Sequence, residues 1–568
     1  MTTHTFVDTL KKNWQSGLTV ALISVPLSIA LSIASGAGPL PGIITGIWAT
    51  LIASLFGGNN YNIIGAAGAL TTLLFAATIS APDNLGPAVL PFIALAVGCI
   101  ILLIWLVRAD RFLYYIPSSV MYGFATGVAL LIAASQLFDA TGLSFVRRTG
   151  TFVGDISLYF QHQSETDMPT VLVFIFFLTL LLLWKRYIKA LPAVIPIALL
   201  GILFGFVETR FIDSLDLISL GDKFGALTGA LYVPVVWGSL PQILFAPESL
   251  TFIFKTAGVI ALIAVLETLI TAKIADKITR TQSSSRKELF GLALANIGSG
   301  IFGGLPATGV FIRTGANIKA GATHRLSATI AAVITGFIAL LILPYFIYLP
   351  FAVVSAILVN TALGLIETEK LKEFWQQEKM SFSIALLVAG ITVFEDAGVA
   401  VLVGVILSLL LFIDRVSYGR FDIFLNFSDG SKDEWRGVKV LHLPEDKTID
   451  TVTYSLAGFL GYIDSARHAA NFRHLARSKN VSNVIIRLRN LFTLDFEGSE
   501  MLAEAIEELE RHGKCVYVSS ANPTVMRQLE KNQQCEHLIR EEKFCRKTTD
   551  ALRHLHPLST LDEHPLQN

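Results

Sequence analysis

Charge is what most of this chain lacks. Only 15% of the 568 residues are Asp, Glu, Lys or Arg, and 53% are hydrophobic, so most of the sequence cannot pack as a water-soluble core. It reads as an integral membrane protein. Cysteine is sparse as well: Cys99, Cys515, Cys535 and Cys545 include no Cys-x-x-Cys pair, which argues against a disulfide framework and a cysteine zinc site. No GxxxxGK[ST] phosphate loop is present, which argues against an ATP-driven pump. The eleven histidines fall in loops or in the C-terminal tail, so no histidine proton relay is expected across the apolar part. Neither an enzymatic site nor a cofactor is expected, and nucleic acid is not an expected partner.

Apolar runs near bilayer length occupy residues 17–36, 41–57, 62–79, 86–108, 117–138, 168–188, 191–207, 250–272, 288–303, 307–319, 323–345, 347–365, 381–397 and 398–415. These make fourteen expected spans, of which 62–79 and 307–319 are short and rich in Gly, Ala and Thr. Charge then rises sharply after Arg415, which marks a domain boundary. The expected organisation is a transmembrane domain at 1–415, a linker at 416–435, a soluble domain at 436–552 and a disordered tail at 553–568.

Basic residues set the orientation. With a cytoplasmic N-terminus, Lys11, Lys12, Arg108, Arg111, Lys185, Arg186, Lys273, Lys277, Arg286, Lys287, Lys319, Arg325, Lys370 and Arg415 all fall inside, and few, chiefly Arg147, Arg148, Arg210 and Lys223, fall outside. That asymmetry satisfies the positive-inside rule. An even number of spans places the C-terminal domain in the cytoplasm too, and no cleavable signal peptide is expected.

The chain repeats itself faintly. "LFGGNNYNIIGAAGALTT" at 55–72 and "IFGGLPATGVFIRT" at 301–314 both follow a span with Phe-Gly-Gly, pass a polar or Pro-containing kink and start a small-residue segment. Each is third in a set of seven spans. Because seven is odd, the second set enters the membrane inverted, the plan of many secondary transporters. Two half-helices would then start near the midplane, where unpaired N–H groups and positive dipole ends make an anion site. Ala66, Ala67 and Gly68 in the first segment and Ala307, Thr308 and Gly309 in the second are the candidate contacts. Small residues for tight helix packing are the plainer alternative for either segment alone.

These stretches resemble the SulP family of anion transporters. "FGGLPATGVFIRTGANIKAG" at 302–321 is similar to the family's second half-helix motif, "IIGAAGALT" at 63–71 to its first-repeat signature, and "VPLSIALSIASGAGPLPG" at 25–42 to its first span. The most specific part is "ADKITRTQSSSRKELFGLALANIGSGIFGGLPATG" at 275–309. The resemblance implies a polytopic helical fold with core and gate domains, a cytoplasmic α/β STAS domain, a homodimer in the inner membrane, and a small inorganic anion as substrate. One departure stands out. Gly65-Ala66-Ala67 lacks the proline and the hydroxyl that family members usually carry there, which removes a side-chain contact to the anion but leaves the backbone dipoles.

Three charged residues within the spans bear on function. Lys255 can snorkel to the interface from one turn inside. Arg313 either adds positive field beside the anion, as the resemblance implies, or serves a helix-end or packing role. Glu267, late in an apolar span with Thr271 one turn on, shares a helix face with that hydroxyl. It can bind H⁺, or hold Na⁺ together with Thr271 and backbone carbonyls, and the alternative is an interfacial acid answering Lys273. The resemblance makes this acid the coupling-ion residue, with Glu rather than Asp tilting toward H⁺. No other metal site is expected.

In the soluble region "VKVLHL", "GFLGYID", "NVIIRL" and "KCVYVSS" read as strands, and "EGSEMLAEAIEELERHG" and "NPTVMRQLEKN" as helices, with Gly513 as a C-cap. The turn Asp495-Phe496-Glu497-Gly498 has Glu497 where related regulators carry a phosphorylated hydroxyl, which argues against a phosphoswitch. The expected function is secondary active transport of a bicarbonate- or sulfate-class anion, coupled to H⁺ or Na⁺. The alternatives are an uncoupled channel or exchanger, a dicarboxylate transporter, and a non-transporting, membrane-anchored STAS regulator.

Overall fold

The apolar region folds as α1 (Thr3–Ala34), α2 (Pro39–Phe56), a two-residue strand β1 (Ile64–Gly65), α3 (Gly68–Ile79), α4 (Leu90–Leu106), α5 (Ser118–Ser135), α6 (Met168–Tyr187), α7 (Val194–Val207), α8 (Pro247–Thr279), α9 (Ser285–Ile301), a second short strand β2 (Thr308–Gly309), α10 (Phe311–Lys319), α11 (Leu326–Leu341), α12 (Phe351–Leu365), α13 (Lys379–Phe394) and α14 (Ala397–Ser417). This computed structural model describes residues 3–82, 85–108, 117–143, 146, 148–149, 151–188, 192–212, 215–227, 230–233, 246–395, 397–417, 421–438, 441–444, 446–531 and 543–556. Arg111 and Arg147, used above for orientation, and Cys535 lie outside these residues. The chain divides into two units, residues 1–408 and 409–568.

Proline opens α2 and α8, where its missing N–H leaves no helical bond unmade. Each of the fourteen expected segments contains one of these helices. Among the described residues eight helices are long and apolar enough to cross a bilayer: α1, α2, α4, α5, α6, α7, α8 and α12, while α3, α11, α13 and α14 are shorter apolar helices. Further helices at Phe152–His162 and Thr368–Gln377 occupy connections that the hydropathy did not mark.

Helix packing sorts the first unit into two groups. In one, α2 packs on α1, α9 and α11, α4 packs on α8 and α9, and α10 packs on α1 and α8. In the other, α5 packs on α12 and α13, and α6 on α7 and α12. The short helix α3 touches both, through α1 and α8 on one side and α5 on the other. Contacts are close where glycine allows it: a Cβ on Gly98 of α4 would lie 2.6 Å from Ile297 Cγ1 and 2.8 Å from the Ala293 carbonyl of α9, the small-residue packing expected in lipid.

The second unit holds a six-stranded sheet built from β3 (Phe421–Phe427), β4 (Lys432–Val438), β5 (Ile449–Leu460), β6 (Val481–Leu494), β7 (Cys515–Ser519) and β8 (Phe544–Cys545) in the order β4-β3-β5-β6-β7-β8. β3 is antiparallel to β4 and β5, and β5 through β8 run parallel. The connecting helices are α15 (Tyr462–Arg477), α16 (Phe496–Arg511) and α17 (Pro523–Leu529), and α18 (Thr548–Leu555) follows β8. β5, α15 and β6, and then β6, α16 and β7, are the parallel units joined by helices that α/β alternation requires. Asp495 caps α16 by accepting from Gly498 N at 2.8 Å, and Glu497 lies in the first turn, the acid position favoured by the dipole. Gly513, at φ +77°, ends α16 with the paired bonds Gly513 N to Glu510 O and Lys514 N to Leu509 O, a Schellman motif.

Four expectations change here. Residues 416–435 carry β3 and the start of β4 instead of a bare linker: Phe421, Ile423, Leu425 and Phe427 are buried and alternate with half-buried Asp422, Phe424 and Asn426, and Phe424 on the outer face interrupts the apolar/polar alternation by which a strand is read. Of "VKVLHL", Val438 belongs to β4, Leu441, His442 and Leu443 form no strand, and Lys439 and Val440 lie outside the described residues. "GFLGYID" straddles the end of β5 and the start of α15. The start of the expected tail, 553–556, completes α18 and its C-cap, and residues 557–568 lie outside the described residues.

Candidate binding site between two short helices

α3 has 12 residues and α10 has 9, so at 1.5 Å per residue they rise about 18 and 14 Å, well short of a ~30 Å hydrocarbon core. Each starts just after one of the two short strands, and those strands pair with each other. β1 and β2 are antiparallel, with Ile64 opposite Gly309 and Gly65 opposite Thr308. Two helices begun from a shared strand crossing bring both N-termini to one place. Neither N-cap, Ala67 nor Val310, supplies a side-chain acceptor, so the first-turn N–H groups keep their positive partial charge.

The Pro-containing chain before β2 answers how broken backbone survives among apolar helices. Leu305 N donates to Thr45 Oγ1 at 2.7 Å, and Ser299 Oγ donates to the Leu305 carbonyl at 2.6 Å. Asn296 clamps Ala307 from both sides, accepting from its N–H at 2.9 Å and donating to its carbonyl at 3.0 Å. Side chains of α2 and α9 thus satisfy groups that lipid cannot.

β2 is held just as closely by α8. Gly309 N donates to Thr268 Oγ1 at 2.8 Å, Thr271 Oγ1 donates to the Gly309 carbonyl at 3.3 Å, and Thr308 Oγ1 donates to the Ala264 carbonyl at 3.2 Å. Val310 N reaches the Ile63 carbonyl at 2.8 Å. The amides of Ala307 and Gly309, expected to face a ligand, are therefore committed within the protein. The N–H groups of Phe311, Ile312 and Arg313, ahead of the first helical bond from Thr314 N to the Val310 carbonyl, take no acceptor among the described residues.

Arg313 is fully buried. One terminal nitrogen donates to Ser28 Oγ of α1 at 2.9 Å, while Nε and Nη1 have no hydrogen-bond partner among the described residues. No carboxylate pairs with it there. The guanidinium presses on the strand leading to α3: a Cβ on Gly65 would fall 2.5 Å from Nη1. A buried cation without a counter-charge is expensive, and its free donors match an anion. A snorkelling or helix-end role does not describe a side chain in this position.

Glu267 of α8 is half-buried, with Oε2 shielded and without a hydrogen-bond partner. The neighbouring hydroxyl is that of Thr308 on β2, which itself lies 3.1 Å from Thr268 Oγ1. Thr271, the candidate partner of this acid in holding Na⁺, donates its hydroxyl hydrogen to the Gly309 carbonyl of β2. Among the described residues no hydrogen bond or ion pair joins Glu267 to Arg313.

A second polar layer was missed in the sequence. Glu288 of α9, buried, accepts from Gly58 N, Asn59 N and Asn62 Nδ2, each at 2.8 Å. Asn62 Oδ1 accepts from Thr314 Oγ1 at 3.0 Å, Thr314 Oγ1 accepts from Ile63 N at 3.0 Å, and Asn317 donates to the Tyr61 carbonyl at 2.9 Å. This layer ties α10 to the chain entering β1. The signal available for it was Asn296 inside an otherwise apolar stretch, and Asn62 and Glu288 at the first positions of two such stretches.

A family model described as the sulfate permease family matches residues 10–388. The chain is 27% identical over 515 residues to the putative sulfate transporter YvdB of Bacillus subtilis, covering 89% of this chain and 91% of that protein. It is 26% identical over 524 residues to the bicarbonate transporter BicA of Synechocystis sp., covering 91% and 89%. Among solved structures, the murine solute carrier 26 family member A9 anion transporter in its inward-facing state superposes with a TM-score of 0.78 at 14% identity, covering 97% of this chain and 92% of that one. The transmembrane domain of a cyanobacterial BicA gives a TM-score of 0.59 at 24% identity, over 71% and 97%.

Proposed function

The chain belongs to the sulfate permease family, and from that premise we propose that it carries a small inorganic anion of the sulfate or bicarbonate class by alternating access, coupled to H⁺ or Na⁺ through Glu267. Family membership makes it a transporter rather than an enzyme. The observation that carries the reading is Arg313, a fully buried guanidinium with free donors and no carboxylate partner among the described residues, in the first turn of one of two short helices begun at a shared strand crossing.

The anion rests on the first-turn amides of α3, around Ala66, Ala67 and Gly68, and on those of α10, Phe311, Ile312 and Arg313, beside Thr308 and Gly309, with the Arg313 side chain supplying full charge behind them. Backbone donors fit any small oxyanion, which leaves the choice of anion to the size and polarity of the space around them. Glu267 sits one hydroxyl away from β2. Thr308 can donate to an ionised Glu267 or to the Ala264 carbonyl, so a proton or Na⁺ arriving at Oε2 changes the bonding of the strand that starts α10. A neutralised Glu267 also takes no bare charge into a water-poor intermediate.

The two packing groups supply the moving parts. Fourteen spans in two inverted sets of seven would place α1 to α4 and α8 to α11 in a core that carries the site, and α5 to α7 and α12 to α14 in a gate. Both termini face the cytoplasm of a cell whose inner membrane holds the protein, the sheet unit is a STAS domain, and a homodimer is the working assembly.

Uptake of labelled sulfate and bicarbonate by purified protein in proteoliposomes tests this. An imposed H⁺ or Na⁺ gradient is expected to drive accumulation, and Glu267→Gln to abolish it. Flux that ignores both gradients and survives Glu267→Gln identifies an uncoupled exchanger or channel. Competition only by dicarboxylates redirects the substrate class, and absence of any flux leaves the regulatory reading.

A further inference from the structure

Among its described residues, the sheet unit exposes its large hydrophobic side chains at one edge. Phe459, Tyr462, Ile463, Phe492 and Phe496 are between 38% and 77% exposed, and from Phe421 onward no other large hydrophobic among the described residues is exposed to that degree. Phe459 lies one residue before the end of β5 and Phe492 two before the end of β6, while Tyr462 and Ile463 start α15 and Phe496 starts α16. The register brings them together: Gly458 is opposite Leu491 and Leu460 opposite Leu494, and Asp495 binds both ends of the junction, donating to the Leu460 carbonyl and accepting from Tyr462 N. Five exposed apolar residues gathered at one place mark an interaction surface.

The chain's own course says what lies next to it. β3 is antiparallel to β5 with Phe421 opposite Leu456, so the start of β3 and the ends of β5 and β6 share this edge. The chain enters β3 from α14, whose apolar stretch runs Gly398–Ile413 and which ends at Ser417. Four residue steps from Ser417 to Phe421 span at most about 14 Å. The aromatic edge is thus tethered close to where the last apolar helix leaves the bilayer. Phe and Tyr with polar neighbours such as Arg489, Asn490 and Glu497, all exposed, suit the headgroup region, where an apolar ring is buried and a polar tip stays wet.

We propose that Phe459, Tyr462, Ile463, Phe492 and Phe496 seat this edge of the sheet unit on the lipid surface beside α14. The full-length chain is reconstituted in phosphatidylcholine and phosphatidylglycerol vesicles with a nitroxide at Phe492→Cys or Phe496→Cys, the native cysteines being replaced by Ser. A separate chain that keeps Cys515 as its one cysteine, with Phe492 and Phe496 unchanged, carries the label at the opposite edge, where β7 begins and Cys515 is exposed, as the aqueous reference. Collisions with oxygen should rise and those with a nickel chelate fall at both aromatic positions, so that their ratio exceeds the Cys515 value severalfold. A ratio equal to that at Cys515 overturns the proposal, and so does exclusion of both reagents, which would mean that protein, such as a second copy of the chain, covers the edge. Phe496→Trp gives a readout with a milder substitution. Bromine-labelled acyl chains should quench its added fluorescence relative to the unmodified chain, and an unquenched signal contradicts lipid seating.

Discussion

Gly65 and Arg313 fit one another: the guanidinium of Arg313 occupies the space a side chain at position 65 would need, with Nη1 2.5 Å from an added Cβ. Glycine here is a requirement of close approach. Gly65→Ala should therefore displace Arg313 and weaken anion affinity about tenfold, equivalent to ~1.4 kcal/mol. Isothermal titration of the purified variant checks it. Combining Gly65→Ala with Arg313→Gln should weaken binding little beyond Arg313→Gln alone, because contacting residues are not additive.

Glu267→Gln should separate coupling from binding. The amide keeps the size of the carboxylate but neither releases a proton nor attracts Na⁺, so anion affinity stays near the original while gradient-driven accumulation disappears. Measuring binding and uptake on the same preparation decides it.

Thr308→Val keeps shape and removes the hydroxyl that sits between Glu267, Thr268 and the Ala264 carbonyl. One neutral hydrogen bond contributes about 0.5–1.5 kcal/mol. Uptake is expected to fall roughly two- to tenfold, a smaller effect than that of Glu267→Gln, and initial rates under a fixed gradient give the comparison.

Asn296→Leu should act on stability rather than on coupling. It strips both partners from the Ala307 backbone, and each buried group left unsatisfied costs about 1–3 kcal/mol. The variant should melt several degrees lower in detergent, read by fluorescence-detected size exclusion, and an unchanged melting temperature would mean that the clamp is dispensable.

In the sheet unit, Asp464 offers a pH test. Burial alone would raise its pKa, but hydrogen bonding and charge from His468 and Arg467 outweigh burial and hold the carboxyl below its ordinary value. A depressed folded value means that the stabilisation is fully present above the unfolded value of about 3.9 and is lost as pH falls through the lower folded value. Unfolding of the chain and of Asp464→Asn should differ at neutral pH and converge in strong acid.

Long helices were legible because an apolar run of bilayer length has little else it can form, and α3 and α10 were legible because Gly, Ala and Pro broke those runs twice in matching places. The β1–β2 crossing was not, since two-residue strands have no periodicity to read. Nor were the partners of the crossing. Thr45, Thr268 and Asn296 meet Leu305, Gly309 and Ala307 only after folding, and small polar residues in apolar helices look alike whether they clamp a backbone or pack a helix. That is why the amides of Ala307 and Gly309 looked free from sequence. β4 escaped because "KDEWRGV" is an edge strand with its charges outward, a usual protection of edges.

Titration of sulfate and bicarbonate into purified protein and its Arg313→Gln variant tests the site most directly. Removing an unpaired buried cation should leave the fold intact or firmer, so the variant can be compared as a folded protein. Loss of charge-assisted hydrogen bonds to the anion predicts about 1.5–3 kcal/mol, or roughly ten- to a hundredfold weaker binding of whichever anion the unmodified protein takes. A folded Arg313→Gln protein that binds that anion with unchanged affinity would contradict the assignment.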